Sequence, residues 1–235
     1  MILAAGLGTR LKPFTDHHPK ALAMVHGKTI LQRNIEYLSA NGVTDIIVNV
    51  HHFADQIINH LQANNNFGTN LVISDESDEV LETGGGLKKA SWFFDDGQAF
   101  FLMNVDILTD ANLRRMMKQH HDLKPLATLA VSDRTSSRCF LFNEQSQLCG
   151  WRNNNTSEEK ISREGEVIHP LSFSGLHIID PHIFSLIKQE GKFSMVDVYL
   201  DLAKTNTILA YNHSGSLLID VGKPESIVEA EKMFK

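Results

Sequence analysis

Along residues 1–132, short apolar runs rich in Val, Ile and Phe alternate with longer stretches in which apolar residues return at helical spacing. That alternation marks βα units laid on a mainly parallel sheet. It predicts strands over residues 1–5, 45–50, 70–75, 99–104 and 127–132, with helices between them covering the sheet faces. The first helix is signposted at both ends. Thr29 and Gln32 have capping-box spacing, Ile30, Leu31, Ile35 and Leu38 share one face, and Gly42 stands where a left-handed stop is needed. A second helix is expected over 53–63 with Ile57, Ile58 and Leu61 inward, a third following Gly86, and a fourth behind Asp110 as its cap.

After Ser132 the pattern changes. Residues 140–142 and 148–151 read as a hairpin around 143–147, and the polar stretch 152–169 as an exposed loop or a second hairpin. A strand over 172–179 leads into a helix opened by Asp180 and Pro181, and another helix covers 195–204. Residues 208–213 and 217–220 then pair as a hairpin across 214–216, and a last helix runs over 224–234. With no repeat, low-complexity tract or linker, the expectation is a single α/β domain over residues 1–235: a mixed, mainly parallel central sheet flanked by helices, with a small β insertion at its edge.

Composition narrows the function classes. The chain has 235 residues, 42% hydrophobic and 21% charged, which is ordinary for a folded globular protein. Its 22 basic and 28 acidic residues leave a net charge of −6, so nothing general attracts nucleic acid or anionic lipid, and any phosphate binding must be local. Apolar runs such as 99–103 fall far short of the ~20 residues of a membrane span, and no secretion signal opens the chain, so a cytosolic protein is expected. Cys139 and Cys149 could face each other across a hairpin, but in that reducing compartment they are expected to stay thiols. The histidine pairs His17-His18, His51-His52 and His120-His121 invite a zinc reading, but sequence neighbours rarely ligate one ion and no Cys-His spacing supports it.

The chemistry concentrates where the first strand ends. Ala4-Ala5-Gly6-Leu7-Gly8-Thr9-Arg10, followed by Lys12-Pro13, Thr15 and Pro19-Lys20, combines small residues whose backbone N–H groups can approach an anion with three cations over a short span. This is a phosphate cradle. A dinucleotide fingerprint would need a small residue where Leu11 stands and an acid closing the second strand, where Asn49, Val50 and His51 stand. A Walker loop would need a glycine at Leu22, five residues before Gly27-Lys28-Thr29.

The run Leu3 to Leu11, with Pro13, Thr15 and Pro19-Lys20, resembles the signature of sugar-1-phosphate nucleotidyltransferases, and the resemblance continues along almost the whole chain. Leu81-Glu82-Thr83-Gly84-Gly85-Gly86 is similar to the family's base-contacting loop, Asn104-Val105-Asp106 to its metal aspartate, Phe173-Ser174-Gly175 to its sugar-site strand, and Asp220-Val221-Gly222 to its second metal aspartate. Within the family the loop and the short length are most similar to N-acetylmuramate-1-phosphate uridylyltransferases of cell-wall recycling.

The resemblance implies a Rossmann-like nucleotidyltransferase fold. It also implies Mg2+-assisted transfer of a nucleotidyl group from a nucleoside triphosphate, UTP favoured, to a sugar 1-phosphate. Arg10, Lys20, Asp106 and Asp220 are implied as catalytic, with both aspartates holding the metal. Ala4, Ala5, Gly6, Gly8, Thr9, Arg10, Glu82, Thr83, Gly84, Gly85 and Asn104 are implied for the nucleotide, and Ser174 and Gly175 for the sugar. By position alone each aspartate is equally an ordinary turn residue, and the glycine triplet a helix entry. Three glycines beside Glu and Thr also suggest close ligand approach. Lys20 is expected on an exposed loop, where it adds little to folding.

Two departures from the family pattern are visible. Val105 replaces a common glycine, and the second half has no Lys-Pro pair to anchor a sugar phosphate, Lys160 lying outside that pattern. Three further readings stay open: a non-catalytic nucleotide-sugar-binding module, a cytidylyltransferase acting on choline or polyol phosphate, and a mannose-1-phosphate guanylyltransferase.

Overall fold

The computed structural model describes residues 1–164 and 168–235. Its first half follows the predicted alternation. Strand β1 (Ile2–Leu3) leads into the glycine loop, and a small antiparallel ribbon of β2 (Met24–Val25) and β3 (Lys28–Thr29) precedes helix α1 (Ile30–Ala40). Then come β4 (Asp45–Val50), α2 (Ala54–Ala63), β5 (Asn70–Asp75), α3 (Glu82–Lys89), β6 (Phe100–Asn104), β7 (Ile107–Thr109), α4 (Leu113–Leu123) and β8 (Ala127–Ser132). The second half supplies β9 (Arg138–Phe142), β10 (Leu148–Asn153), β11 (Glu158–Ile161), β12 (His169–Ile179), α5 (Ile183–Leu186), α6 (Met195–Leu202), β13 (Ile208–Asn212), β14 (Leu218–Asp220) and α7 (Pro224–Met233).

The central sheet runs β11-β10-β9-β12-β6-β1-β4-β5, with β8 paired to β12 and carrying β13. Strands β6, β1, β4 and β5 are parallel to one another, as are β8 and β13, while β12 is antiparallel to β6, β8 and β9. Because successive strand residues point to opposite faces, each central strand feeds two cores. Ile2, Val48 and Met103 pack with Ile30, Ile35, Ile57, Met116 and Ala230 of α1, α2, α4 and α7. Leu3, Ile47 and Leu102 pack with Leu87, Ile183, Val198 and Tyr199 of α3, α5 and α6. Among the described residues no helix is long and apolar enough to cross a membrane.

Local signals account for most boundaries. Thr29 Oγ1 accepts from Gln32 N at 3.1 Å, as the capping spacing predicts, but the Gln32 side chain turns to Glu36 at 2.9 Å, so the box is half made. The cap of α4 is Asn112, whose side chain accepts from Arg115 N, and Asp110 instead receives Leu217 N at 2.7 Å. The predicted hairpin of 208–213 with 217–220 does not form: β13 continues the large sheet beside β8, and β14 crosses to pair with β7. The polar stretch after Arg152 does fold back as a second hairpin through β11; its residues 165–167 lie outside the described residues. Cys139 pairs in register with Arg152, and Cys149 sits at the β10 irregularity, so the two buried thiols do not face each other.

Helix α3 departs most from expectation, since Gly84, Gly85 and Gly86 lie inside it and not ahead of it. Each interior glycine costs ~1 kcal/mol relative to alanine. Packing accounts for them. A Cβ on Gly84 would enter the Phe193 ring, one on Gly85 would enter the Gly191 carbonyl, and one on Gly86 would lie 2.7 Å from Glu76 Oε1. The amides of Gly84 and Gly85 both donate to the Phe193 carbonyl, at 2.9 and 3.2 Å, and Thr83 Oγ1 accepts from Met195 N at 2.9 Å. Residues 191–195 thus replace solvent along the first turn of α3.

Gly85→Ala should therefore destabilise the protein by about 1–3 kcal/mol in urea denaturation, despite alanine's higher helix propensity. An unchanged or raised midpoint would show that the contact with Gly191 is slack.

Burial also holds two histidines neutral. His177, sharing a 2.7 Å hydrogen bond with the Tyr199 hydroxyl, is pushed down to about 3, and His120, bonded to Thr128, to about 4. Both lie below the ordinary 6.5, so the unfolded chain binds protons first. Their contribution is complete above pH 6.5 and drains away as pH falls toward 4 and then 3. Urea midpoints should fall from pH 7 to pH 5, and His120→Gln should flatten that dependence.

Candidate active site

The parallel strands β1, β4 and β6 end together at a crevice of about 330 Å3 whose walls include Ala5, Gly6, Asn49, Glu82, Thr83 and Asn104, with Lys20 and Asp106 at one end. Open α/β sheets bind ligands at this carboxyl edge. A larger cavity, about 850 Å3, lies at the opposite, amino edge beside Asp45 and Phe100, away from every predicted site residue.

The glycine loop is shaped by its own packing. Gly6 is exposed, with nothing within 4 Å of where a Cβ would stand, which leaves the backbone open to a ligand. Gly8 has φ +63°, and a Cβ there would meet Thr15 Cγ2 at 2.9 Å. The Thr15 hydroxyl donates back to the Gly8 carbonyl at 3.0 Å, which closes the loop. Thr9 and Arg10 then project from a short turn, both exposed.

Two carboxylates meet this loop. Asp106 lies between β6 and β7, and Lys20 Nζ donates to its Oδ2 at 2.5 Å, with both side chains under 15% exposed. Lys20 is therefore not the free loop lysine that the sequence suggests. Asp220 pairs across the β7–β14 ladder with Ile107, the residue after Asp106, and the Asp106 carbonyl accepts from Val221 N at 2.7 Å. Arg10 Nη2 lies 3.5 Å from Asp220 Oδ2, with both side chains substantially exposed. Asp220 Oδ1 is buried and has no hydrogen-bond partner among the described residues. A Cβ on Gly222 would stand 2.5 Å from that oxygen and 2.7 Å from Arg10 Nη2, so the glycine keeps the cradle open. The β7–β14 ladder thus brings the Arg10–Asp220 and Lys20–Asp106 pairs to one edge of the sheet, although over 110 residues separate the two aspartates in sequence.

The remaining predicted residues divide. Ala5, Gly6, Glu82, Thr83 and Asn104 line the crevice. Ala4 lies behind its wall, its amide donating to Asn49 Oδ1 at 2.6 Å. Gly84 and Gly85 pack beneath, where Phe193 and Gly191 supply the close approach that the sequence reading gave to a ligand. Gly175, at φ +69°, sits over Asn104, whose Nδ2 a Cβ would meet at 3.0 Å. Ser174 is 1% exposed and its hydroxyl shares a 2.8 Å hydrogen bond with His213, so it offers no free hydroxyl to the crevice. Lys160 is paired with Asp197 and lies over the Trp151 ring in the β insertion.

Sequence reasoning missed Asn49, in the crevice wall, and Glu76 behind it, both of them buried. Asn49 had one signal, a polar residue near the end of an otherwise apolar parallel strand, whereas Glu76 stands in the polar run Ser74–Glu79 and had none. Among the described residues no three His, Cys, Asp or Glu side chains gather as a protein-held metal centre. Two aspartates with an unpartnered buried oxygen suit a hard cation that takes its other ligands from water and phosphate.

Comparisons with known proteins show the family. The family description "Nucleotidyl transferase" matches residues 1–140. N-acetylmuramate alpha-1-phosphate uridylyltransferases of Caulobacter vibrioides and Neisseria meningitidis are 33% and 28% identical, over 98% and 99% of this chain and 94% and 96% of theirs. The crystal structure of HddC from Yersinia pseudotuberculosis complexed with GMP-PN superposes with a TM-score of 0.79 at 27% identity, covering 100% of this chain and 98% of that one. The loop, the strand-end aspartates and these likenesses converge: the chain belongs to the nucleotidyl transferase family and is a sugar-1-phosphate nucleotidyltransferase.

Proposed function

We propose that the enzyme transfers a uridylyl group from UTP to a sugar 1-phosphate, with N-acetylmuramate 1-phosphate as the acceptor, and releases pyrophosphate. The observation that carries this reading is the junction of Asp106 and Asp220 with two cations of the glycine loop. The uridylyl and N-acetylmuramate assignments draw on the two relatives similar over nearly the whole chain. A guanylyl donor is the second reading, favoured by the GMP-PN complex of the similar HddC fold.

In the proposed reaction a phosphate oxygen of the sugar 1-phosphate attacks the α-phosphorus of the nucleotide as the bond to the β-phosphate bridging oxygen breaks. The attacking oxygen is already anionic, so no proton has to be removed and no general base is required. The obstacle is the meeting of two anions. Backbone amides of the Gly6–Gly8 segment and Arg10 receive the triphosphate, with Arg10 stabilising charge on the departing pyrophosphate. Lys20, paired with Asp106 in the same crevice, faces the reacting phosphates. Asp106 and Asp220 would hold Mg2+, which would supply further neutralisation of the phosphate oxygens. Ala5, Glu82, Thr83 and Asn104 enclose the nucleoside, and the backbone at Gly175 borders the sugar.

Pyrophosphate release measured over four nucleoside triphosphates and a panel of sugar 1-phosphates, with and without Mg2+, should be greatest for UTP with N-acetylmuramate 1-phosphate and should require the metal. Best turnover with GTP would instead select the second reading. Arg10→Ala, at an exposed side chain, should change the unfolding free energy by less than about 0.5 kcal/mol while lowering kcat ~100-fold. Asp220→Asn should abolish turnover at any Mg2+ concentration. Full activity in either folded variant would remove that residue from the mechanism.

A further inference from the structure

Asn49 in the crevice wall and Glu76 behind it are buried polar side chains that join segments the pattern of the chain does not connect. Asn49, 2% exposed near the end of β4, accepts from Ala4 N at 2.6 Å and from Ala5 N at 3.4 Å through Oδ1. Its Nδ2 donates to Glu76 Oε1 at 2.7 Å. Pairing of β1 with β4 stops at Leu3 and Asn49, so the carboxamide satisfies the backbone where β1 leaves the sheet for the glycine loop. An amide suits this place because one branch accepts while the other donates.

Glu76 follows β5 and is fully buried. Its backbone is fixed on both sides, the amide donating to Val50 O at 2.8 Å and the carbonyl bonded to His51 Nδ1 at 2.6 Å. Its Oε2 has no hydrogen-bond partner among the described residues. The third participant is Gly86 of α3, where a Cβ would stand 2.7 Å from Glu76 Oε1 and 2.9 Å from Asn49 Nδ2. Two crevice walls therefore bear on one pair: the Ala5–Gly6 wall hangs from Asn49 through backbone amides, and the Glu82–Thr83 wall is set by how closely α3 packs on Glu76. Burying an acid and an amide costs stability that apolar residues of similar size would avoid. Their joint position at the junction of both walls supplies a reason to keep them.

Resting on the reading of this crevice as the nucleotide site, we infer that Asn49 and Glu76 are positioning residues that fix the spacing of the two walls and so set nucleotide affinity without touching the reacting phosphates. Removing the donor branch breaks the pair while leaving the acceptor for Ala4 and Ala5. Asn49→Asp places two carboxylates at hydrogen-bond distance. Adding Glu76→Gln restores a donor opposite the new carboxylate.

The test is steady-state kinetics with the preferred nucleotide and sugar phosphate, together with nucleotide binding by calorimetry. Asn49→Asp should raise KM and Kd for the nucleotide about tenfold, with kcat and the sugar-phosphate KM within about threefold. The double variant Asn49→Asp with Glu76→Gln should return the nucleotide KM to within about threefold of the parent. If Asn49→Asp fails to fold, Gly86→Ala, which presses on both atoms from the helix side, should give the same selective rise. An unchanged nucleotide KM, an equal loss in every parameter, or no recovery in the double variant would overturn the inference. Failure of the site reading itself would look different, because Arg10→Ala and Asp220→Asn would then leave turnover intact.

Discussion

Two acids and two bases at one loop junction are the constraint around which the rest is arranged. Asp106 and Asp220 reach adjacent places because β7 and β14 pair, and the backbone bond from Val221 to the Asp106 carbonyl locks that register. Two such carboxylates repel each other. The glycine loop answers with Lys20 on one and Arg10 on the other. The two contacts differ in kind. The buried Lys20–Asp106 pair is one whose disruption leaves an uncompensated charge, a loss of ~3–5 kcal/mol in buried pairs generally. The exposed Arg10–Asp220 pair lies in solvent and contributes little to folding. One cation therefore fastens the loop to the sheet, while the other can exchange partners at small cost.

Small residues around this junction serve the same end. Gly222 leaves room for Arg10 beside Asp220, Gly8 lets Thr15 and Lys20 close on the loop, and Gly175 lets β12 pass over Asn104. The glycines of α3 act one layer further out. They allow residues 191–195 to dock on the first turn of that helix, which fixes the Glu82–Thr83 wall. Wherever backbone comes within contact distance of backbone or of a charged group, a methyl would separate the parts that form the crevice.

Much of this was legible in the sequence where the signal is local. Strands 45–50, 70–75 and 127–132 have the predicted bounds because each reads as a short apolar run rich in β-branched residues between polar flanks. The loop cations and both aspartates were readable because they belong to a spaced motif. The misreadings share a cause in tertiary partnership. Ala4 and Ala5 look like strand but pair with a side chain, three glycines look like a helix entry but lie inside a helix, and β13 and β14 look like a hairpin but belong to different sheets. Ser174 follows the sugar-site pattern, yet its hydroxyl is engaged by His213. Asn49 and Glu76 carry no motif, since their meaning comes from which backbone they meet.

On the proposed function, the ion pairs also explain how so much charge tolerates both an empty and a loaded crevice. Without phosphates, the two carboxylates and the two loop cations balance, and the acids do not push the β7–β14 ladder apart. When nucleotide binds, its phosphate oxygens offer the exposed cation a new partner, and the carboxylates that would hold Mg2+ would gain a positive charge in its place. This exchange asks most of Arg10, whose exposed and long contact is the easier to surrender, and least of Lys20, whose short bond to Asp106 keeps the loop registered on β6. A loop held only by exposed pairs would wander when empty, and one held only by buried pairs would resist the incoming triphosphate. The unequal burial of the two contacts gives the glycine loop one fixed end and one free end, which is what closing over a substrate requires.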